Sequence, residues 1–251
     1  MCYDIKASLE TQLKRAKRNN DEVAITEIIE KLGPQTQLPL FHASGYSHPK
    51  LFVYTNAQAA LPIVAAWGLI PHWSKDIEQA KKFWNNTLNA RGETIYEKPS
   101  FRSSAKSKRC IIYVDGFFEH HYFNKKTFPY FIHKKEKEAI ILAGLYDEWV
   151  DKNTGEIVNT FTIVTTKGNA LLSKIHNNPK LKEPRMPVLL NEEEATIWLN
   201  EKSSKNEIES LIKPYATDDL EAYTVHALRG KNALGNVPDA SKPEVYKELA
   251  A

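Results

Sequence analysis

Six short stretches rich in β-branched and aromatic residues constrain this chain more than any other feature. They are LFVY (51–54), LPIVAAWGL (61–69), CIIYVDGFFEHHYF (110–123), FPYFIH (128–133), AIILAGLYDEWV (139–150) and IVNTFTIVTT (157–166). Residues of this kind fit a pleated surface better than a helix. The segments between the later runs, NKKT, KKEKE and DKNTGE, carry hairpin-like turn chemistry, so these strands are expected to pair antiparallel. Helical patterns lie to either side. Residues 6–32 are polar and helix-friendly: Leu9, Leu13 and Ala16 share one face, and a second helix is expected over Val23, Ile25, Ile28, Ile29 and Leu32, ended by Gly33 and Pro34. Asn191 and Glu194 have the spacing of a capping box opening a helix through Leu199, and a further helix is expected over 204–213 before Pro214. The fold class read from this order is α+β: a mostly antiparallel, barrel-like core with peripheral helices. We expect one domain over 1–251.

At 251 residues the chain can bury one substantial core, and 42% apolar with 26% charged residues is ordinary for a globular protein. A net charge of +3 neither demands nor excludes a nucleic acid, because a local basic face can sit on a near-neutral protein. No run of 18 apolar residues exists, so no membrane span is expected, and MCYDIKASLE lacks the pattern of a signal peptide. Two cysteines, Cys2 and Cys110, lie in such different settings that a disulfide is not expected; a reducing cytoplasm suits them better. No metal or other cofactor is expected.

Cys2 is the first candidate for chemistry. A small residue at position 2 permits removal of Met1, which would expose an α-amine and a thiol on one residue. Their reference pKa values, about 7.7–8.0 and about 8.5, leave a useful fraction of each nucleophilic near neutrality. An aldehyde meeting this aminothiol can form a Schiff base, and the thiol can then close a five-membered thiazolidine, an intramolecular step. Cysteine near a terminus is also compatible with a small buried hydrophobe. In LNARGET (88–94), Asn89 and Arg91 are two apart. An extended segment would set amide and guanidinium side by side, fit to hold a sugar and its phosphate. Glu119 interrupts an apolar strand. If it faces inward, desolvation suits it to general acid–base work; if outward, Phe118 and His120 are the inward pair. His176 precedes a proline-rich, arginine-containing loop and could shuttle protons. Trp67 and Trp73 flank a Gly and a Pro and are candidates to stack on an unpaired base, while FRSSAKSKR (101–109) is a candidate backbone-contacting loop; core tryptophans and a solvated loop are the alternatives on composition alone.

The order of these signals carries more than any one of them. Met-Cys at the start, then WGLIPHW, LNARGET, DGFFEH, IVTT, IHNNPKLKEPRMPVLL and a late ALGNV (233–237) resemble the motif series of the SOS response-associated peptidase (SRAP) family. The resemblance spans nearly the whole chain, with residues 6–34 the least typical. It implies covalent capture of abasic sites in single-stranded DNA through a thiazolidine to the processed Cys2, with autocatalytic removal of Met1. It further implies that Asn89 positions the thiol or the opened sugar, that Glu119 transfers protons beside the α-amine, and that His176 helps open the deoxyribose. Arg91 resembles a phosphate-binding arginine, with Thr165, Arg185 and Trp73 as further DNA contacts. Single-stranded DNA with abasic sites is the expected partner. No obligate protein partner is expected, and the chain is expected to be monomeric.

Two departures matter. Members of the family often begin Met-Cys-Gly-Arg, whereas Tyr3 and Asp4 follow Cys2 here; the missing arginine removes a phosphate contact, and Asp4 adds a charge expected to repel DNA. HASGYSHPK (42–50) also differs from the family's asparagine- and proline-containing loop. Two other functions fit parts of the pattern. An N-terminal-nucleophile hydrolase would use Cys2 as thiolate and Asn89 in an oxyanion role. A non-covalent single-strand-binding module would not need Cys2 and would bind with strong salt dependence.

Overall fold

A computed structural model describes residues 2–249. The strands are β1 (Asp4–Ala7), β2 (Leu40–Ser44), β3 (Lys50–Thr55), β4 (Ile63–Trp67), β5 (Asn89–Arg91), β6 (Arg109–Val114), β7 (Gly116–Phe123), β8 (Lys126–Lys134), β9 (Ile140–Val150), β10 (Ile157–Lys167), β11 (Arg185–Pro187), β12 (Leu189–Leu190) and β13 (Leu220–Thr224). Each of the six apolar runs forms strand, and the longest divides at Asp115 into β6 and β7.

Strands β4, β3, β6, β9 and β10 close on themselves. Neighbours along that path pair antiparallel, and β10 completes the ring by pairing β9 antiparallel and β4 parallel. Closure removes the free edges that an open sheet would present. At Gly144 a side chain has no room, because an added Cβ would stand 2.9 Å from the Cys110 sulfur and 2.8 Å from Ile112. A second sheet runs β13-β8-β7-β1-β2.

Period-two alternation explains why β6 is buried throughout. Cys110, Ile112 and Val114 enter the cluster that holds Trp67, Leu142 and Phe161, while Ile111 and Tyr113 enter the one covered by Trp198. Trp198 lies on the helix Glu192–Leu199, which the capping box of Asn191 and Glu194 opens. Ser204 and Glu207 form a second box before Lys205–Ser210.

The amino-terminal region differs from its sequence reading. Residues 4–7 are strand, because Ile5 and Ala7 enter the core and the backbone pairs β2 on one side and β7 on the other. Helix begins only at Leu9, after Ser8 caps it by accepting from the Thr11 N–H and is itself tied to Asp115. Short helices follow at Lys14–Arg18 and Glu22–Glu27, then a wide turn over Ile28–Leu32. Gly33 is right-handed (φ −51°) and opens a 3-10 turn with Pro34, so it is no left-handed cap. Gln12 fastens this layer to the ring: its side chain accepts from the Phe52 N–H at 2.7 Å and donates to the Tyr113 carbonyl.

The basic stretch at 101–109 is not a loop. It contains the helix Arg102–Ser107, and Arg109 is buried, donating to the carbonyls of Trp198, Asn200 and Ala105. Arg109 ties two helices to the ring rather than meeting a ligand.

Candidate active site around Cys2

Four separate elements bring the expected chemistry together. Cys2 stands two residues before β1, the strand that β2 and β7 flank. Asn89 opens β5, which lies parallel to β10 with Asn89 opposite Ile163. Glu119 sits on β7, where the antiparallel register Asp4↔Phe118 carries it past Asp4 towards the terminus. His176 follows the helix Ala170–Ile175, which Asn169 caps by accepting from the Leu172 N–H.

Glu119 is the inward residue, only 7% exposed. Phe118 is buried as well, in a separate cluster with Phe131 and Val225. Both faces of this part of β7 are covered, so alternation alone left its orientation open.

The Cys2 side chain is fully buried among apolar residues that include Leu88, Leu172 and Ile175. Burial pushes its thiol pKa far up, and the nearby Glu119 carboxylate pushes the same way. The thiol is therefore protonated at neutral pH. The side-chain amide of Asn89 donates to the Cys2 carbonyl at 2.8 Å, and the Asn89 carbonyl oxygen is buried with no hydrogen-bond partner among the described residues.

His176 Nδ1 lies 3.0 Å from the Arg185 carbonyl, 3.2 Å from the Arg185 N–H and 3.8 Å from Glu119 Oε2. Burial lowers its pKa, and Glu119 recovers only part of that, so the imidazole is neutral near pH 7. The site thus pairs a neutral imidazole with a buried carboxyl group, a combination able to pass protons without a fixed positive charge.

An open cleft in two halves meets the site at Asn89, which holds the Cys2 carbonyl; Cys2, Glu119 and His176 lie outside its lining. One, of about 470 Å3, is lined by Lys82, Phe83, Arg91, Lys98 and Phe101; the other, of about 270 Å3, by Tyr3, Tyr46, Asn85 and Leu88. Asn86 and Asn89 belong to both halves. Arg91 is half-exposed, with Nη1 3.7 Å from Glu183. Trp73 is 41% exposed and stands edge-on to Phe83 at 5.2 Å, at the rim of the basic half.

Three expected DNA contacts lie inside the protein instead. Trp67 is fully buried against Phe161, and its indole N–H donates to the Leu88 carbonyl at 2.7 Å; it supports β5 from beneath. Thr165 is fully buried, and its hydroxyl donates to the Ala90 carbonyl. Arg185 is 2% exposed, its guanidinium held by Glu93 at 2.8 and 3.1 Å, by Glu183 at 2.8 Å and by the Thr165 carbonyl. Its donors are occupied, so it braces His176 rather than meeting phosphate.

Asp4 also differs from its reading. It is buried, not facing a ligand, with one oxygen 3.0 Å from His42 Nε2 and the other 2.6 Å from Arg229. The exposed end of this pair is the arginine, so no bare negative charge faces the cleft from this position. Sequence reasoning missed Lys82, Phe83, Lys98, Asn86 and Tyr46. Lys82-Phe83 closes a short amphipathic helix, Ile77–Trp84, and that helix was the one available signal. Among the described residues no group of three or more His, Cys, Asp or Glu could hold a metal ion, and no helix is long and apolar enough to cross a membrane.

The profile of the SOS response associated peptidase (SRAP) family matches residues 3–231. The chain belongs to the SRAP family. Among its relatives, the abasic site processing protein YoqW of Bacillus subtilis is 41% identical over 183 residues, covering 72% of this chain and 74% of its own. The abasic site processing protein HMCES of Pongo abelii is 30% identical, over 95% of this chain and 75% of its own. A crystal structure from Bacteroides thetaiotaomicron superposes with a TM-score of 0.84 at 35% identity, covering 97% of this chain and all (100%) of that one. A Bordetella bronchiseptica structure at 23% identity, TM-score 0.71, shares the fold. The family match agrees with the resemblance read from the order of motifs in this sequence.

Proposed function

We propose that this protein captures abasic sites in single-stranded DNA covalently, through Cys2 once Met1 has been removed. The observation that carries the reading is the convergence of Cys2, Asn89, Glu119 and His176, from four separate elements, beside a cleft that Asn89 lines together with Lys82, Arg91 and Lys98. The names of YoqW and HMCES agree with it.

While Met1 is attached, the Cys2 nitrogen is an amide and cannot attack. Hydrolysis of that bond consumes one water and frees the amine; Glu119 is the carboxylate placed to move the proton. An abasic site exists partly as a ring-opened aldehyde, and His176, neutral and buried, is suited to take the sugar's hydroxyl proton as the ring opens. The amine attacks C1′, and loss of one water gives an imine. The protonated thiol then adds across the C=N bond: sulfur bonds to C1′, and its proton passes to nitrogen through Glu119. No electrons are gained or lost overall. The amine acts first because burial holds the thiol in its less nucleophilic form. Asn89 fixes the Cys2 carbonyl, and its unpaired oxygen can accept from the sugar or the new amine.

The test is to incubate the Met1-processed protein, verified by intact mass, with single-stranded DNA carrying an abasic site. A heat- and SDS-stable adduct is expected. Cys2→Ala and Cys2→Ser retain an amine but no thiol, so they should give only an imine that needs borohydride to survive. Equal stable adduct from Cys2→Ala would overturn the reading, and turnover of added peptides without any adduct would favour a hydrolase.

A further inference from the structure

The two halves of the cleft differ in chemistry. The larger holds three cations, and among the described residues no carboxylate lines either half. Among the described residues the smaller holds no charged side chain: it has two tyrosines, three asparagines (Asn86 and Asn89 shared with the larger half) and Leu88. Phosphates favour the first; a flat, neutral, hydrogen-bonding ring favours the second.

The tyrosines of the smaller half are already stacked. Their ring centroids are 5.3 Å apart with planes 30° from parallel, and Tyr46 is 50% exposed while Tyr3 lies half-buried against it. The outer ring is held in place by its backbone. Tyr46 is the centre of a 3-10 turn, Gly45–Ser47, whose Gly45 N–H donates to the Tyr3 carbonyl at 2.7 Å and whose Ser47 hydroxyl donates to the Ser44 carbonyl at 2.7 Å. A Cβ at Gly45 would approach the Trp67 ring at 3.2 Å, so the turn sits directly on the core. Such a platform needs little ordering when a ligand arrives. It also stands at a fixed offset from the chemistry, since Tyr3 is bonded to Cys2.

We propose that Tyr46, backed by Tyr3, stacks on the nucleobase immediately beside the captured lesion, so the protein grips one flank by its base and the other by its phosphates. This rests on the abasic-site reading above. Asn85 and Asn86 offer amide donors and acceptors at the edge of that base, and Lys82, Arg91 and Lys98 receive the backbone across Asn89. The base on the tyrosine flank must be unpaired or terminal, whereas the basic flank sets no such condition. The sites acted on are therefore distinguished by which side of the lesion is single-stranded.

The experiment uses DNA carrying 2-aminopurine, whose fluorescence falls on stacking, immediately 5′ or immediately 3′ of a tetrahydrofuran abasic analogue, which cannot open to an aldehyde. Binding is thus measured apart from crosslinking. Quenching on one flank only is expected. Tyr46→Ala and Tyr46→Leu should abolish it and weaken binding roughly ten-fold, the usual scale for loss of one base–aromatic stack, while Tyr46→Phe keeps both. With a true abasic site, Tyr46→Leu should reach the wild-type end-point of adduct, more slowly at limiting DNA. Equal quenching on both flanks, or flank-specific quenching that survives Tyr46→Leu, would overturn the platform. Absence of adduct from the wild type would overturn the abasic-site reading and leave the stacking result standing.

Discussion

The side-chain amide of Asn89 donates to the carbonyl of Cys2 at 2.8 Å, joining β5, a short strand paired to β10, to the segment before β1. Removing the donor leaves a part-buried carbonyl without its partner. Asn89→Ala should lower stability by about 1 kcal/mol. It should slow adduct formation by about ten-fold or more, because the attacking residue loses its anchor. Urea titration and a gel time course separate the two effects, and an unchanged adduct rate would remove Asn89 from the site.

Acid should weaken the fold through His176. Burial holds its folded pKa below the ordinary value, and Glu119 opposes that only in part. The unfolded chain therefore binds the proton more readily, so stability is fully present above about pH 6.5 and declines as pH falls towards the folded value. His120 is lowered by burial in the same way, with Glu119 and Asp4 opposing. Comparing urea midpoints of wild type and His176→Gln between pH 7.5 and 5, on the order of that window, should show a shallower slope in the variant. Identical slopes would mean that His176 titrates normally.

The two tryptophans expected to stack on DNA should behave oppositely. Trp67→Ala opens a hole in the ring and strands the Leu88 carbonyl, for a loss of about 3–5 kcal/mol. Trp73→Ala touches only the rim, so stability should change by no more than about 0.5 kcal/mol. DNA affinity should nevertheless fall several-fold, as read by anisotropy on an abasic-analogue strand. A large loss of stability in Trp73→Ala would contradict its place at the rim.

Arg185→Met should cost about 3 kcal/mol, near the low end for breaking a buried pair because Glu93 and Glu183 keep access to water. Arg185→Lys should recover only part, since one ammonium cannot reproduce the paired contacts to Glu93. Neither variant should change the salt dependence of DNA binding, whereas Arg91→Ala should reduce it by about one phosphate's worth. Equal salt slopes for Arg91→Ala and wild type would remove Arg91 from the backbone contacts.

The six apolar runs revealed seven strands, β3, β4 and β6 to β10, because each buries enough side chains to leave a period in the sequence. The short strands left none: β5 and β11 have three residues each and β12 two, and all exist only because β9 and β10 offer edges to them. The end of β1, Lys6 and Ala7, falls in the stretch read as helix because these residues are compatible with either form, and partners over a hundred residues away decide. The gathering of Cys2, Asn89, Glu119 and His176 in one place was legible through motif order. The fate of Thr165, Trp67 and Arg185 was not, because an arginine clasped by Glu93, 92 positions away, looks the same in sequence as one facing phosphate. Asp4 shows the same limit: its partners, His42 and Arg229, lie 38 and 225 positions away.

β1 is laced on both edges, to β2 and β7, within two residues of Cys2. An amino terminus anchored so closely is no swinging arm, and its reach outward is little more than the length of its own side chain. On the proposed chemistry, the damaged sugar must make the journey. It has to rotate out of its strand and descend to a stationary nucleophile, which a backbone stiffened by a complementary strand on both sides would resist.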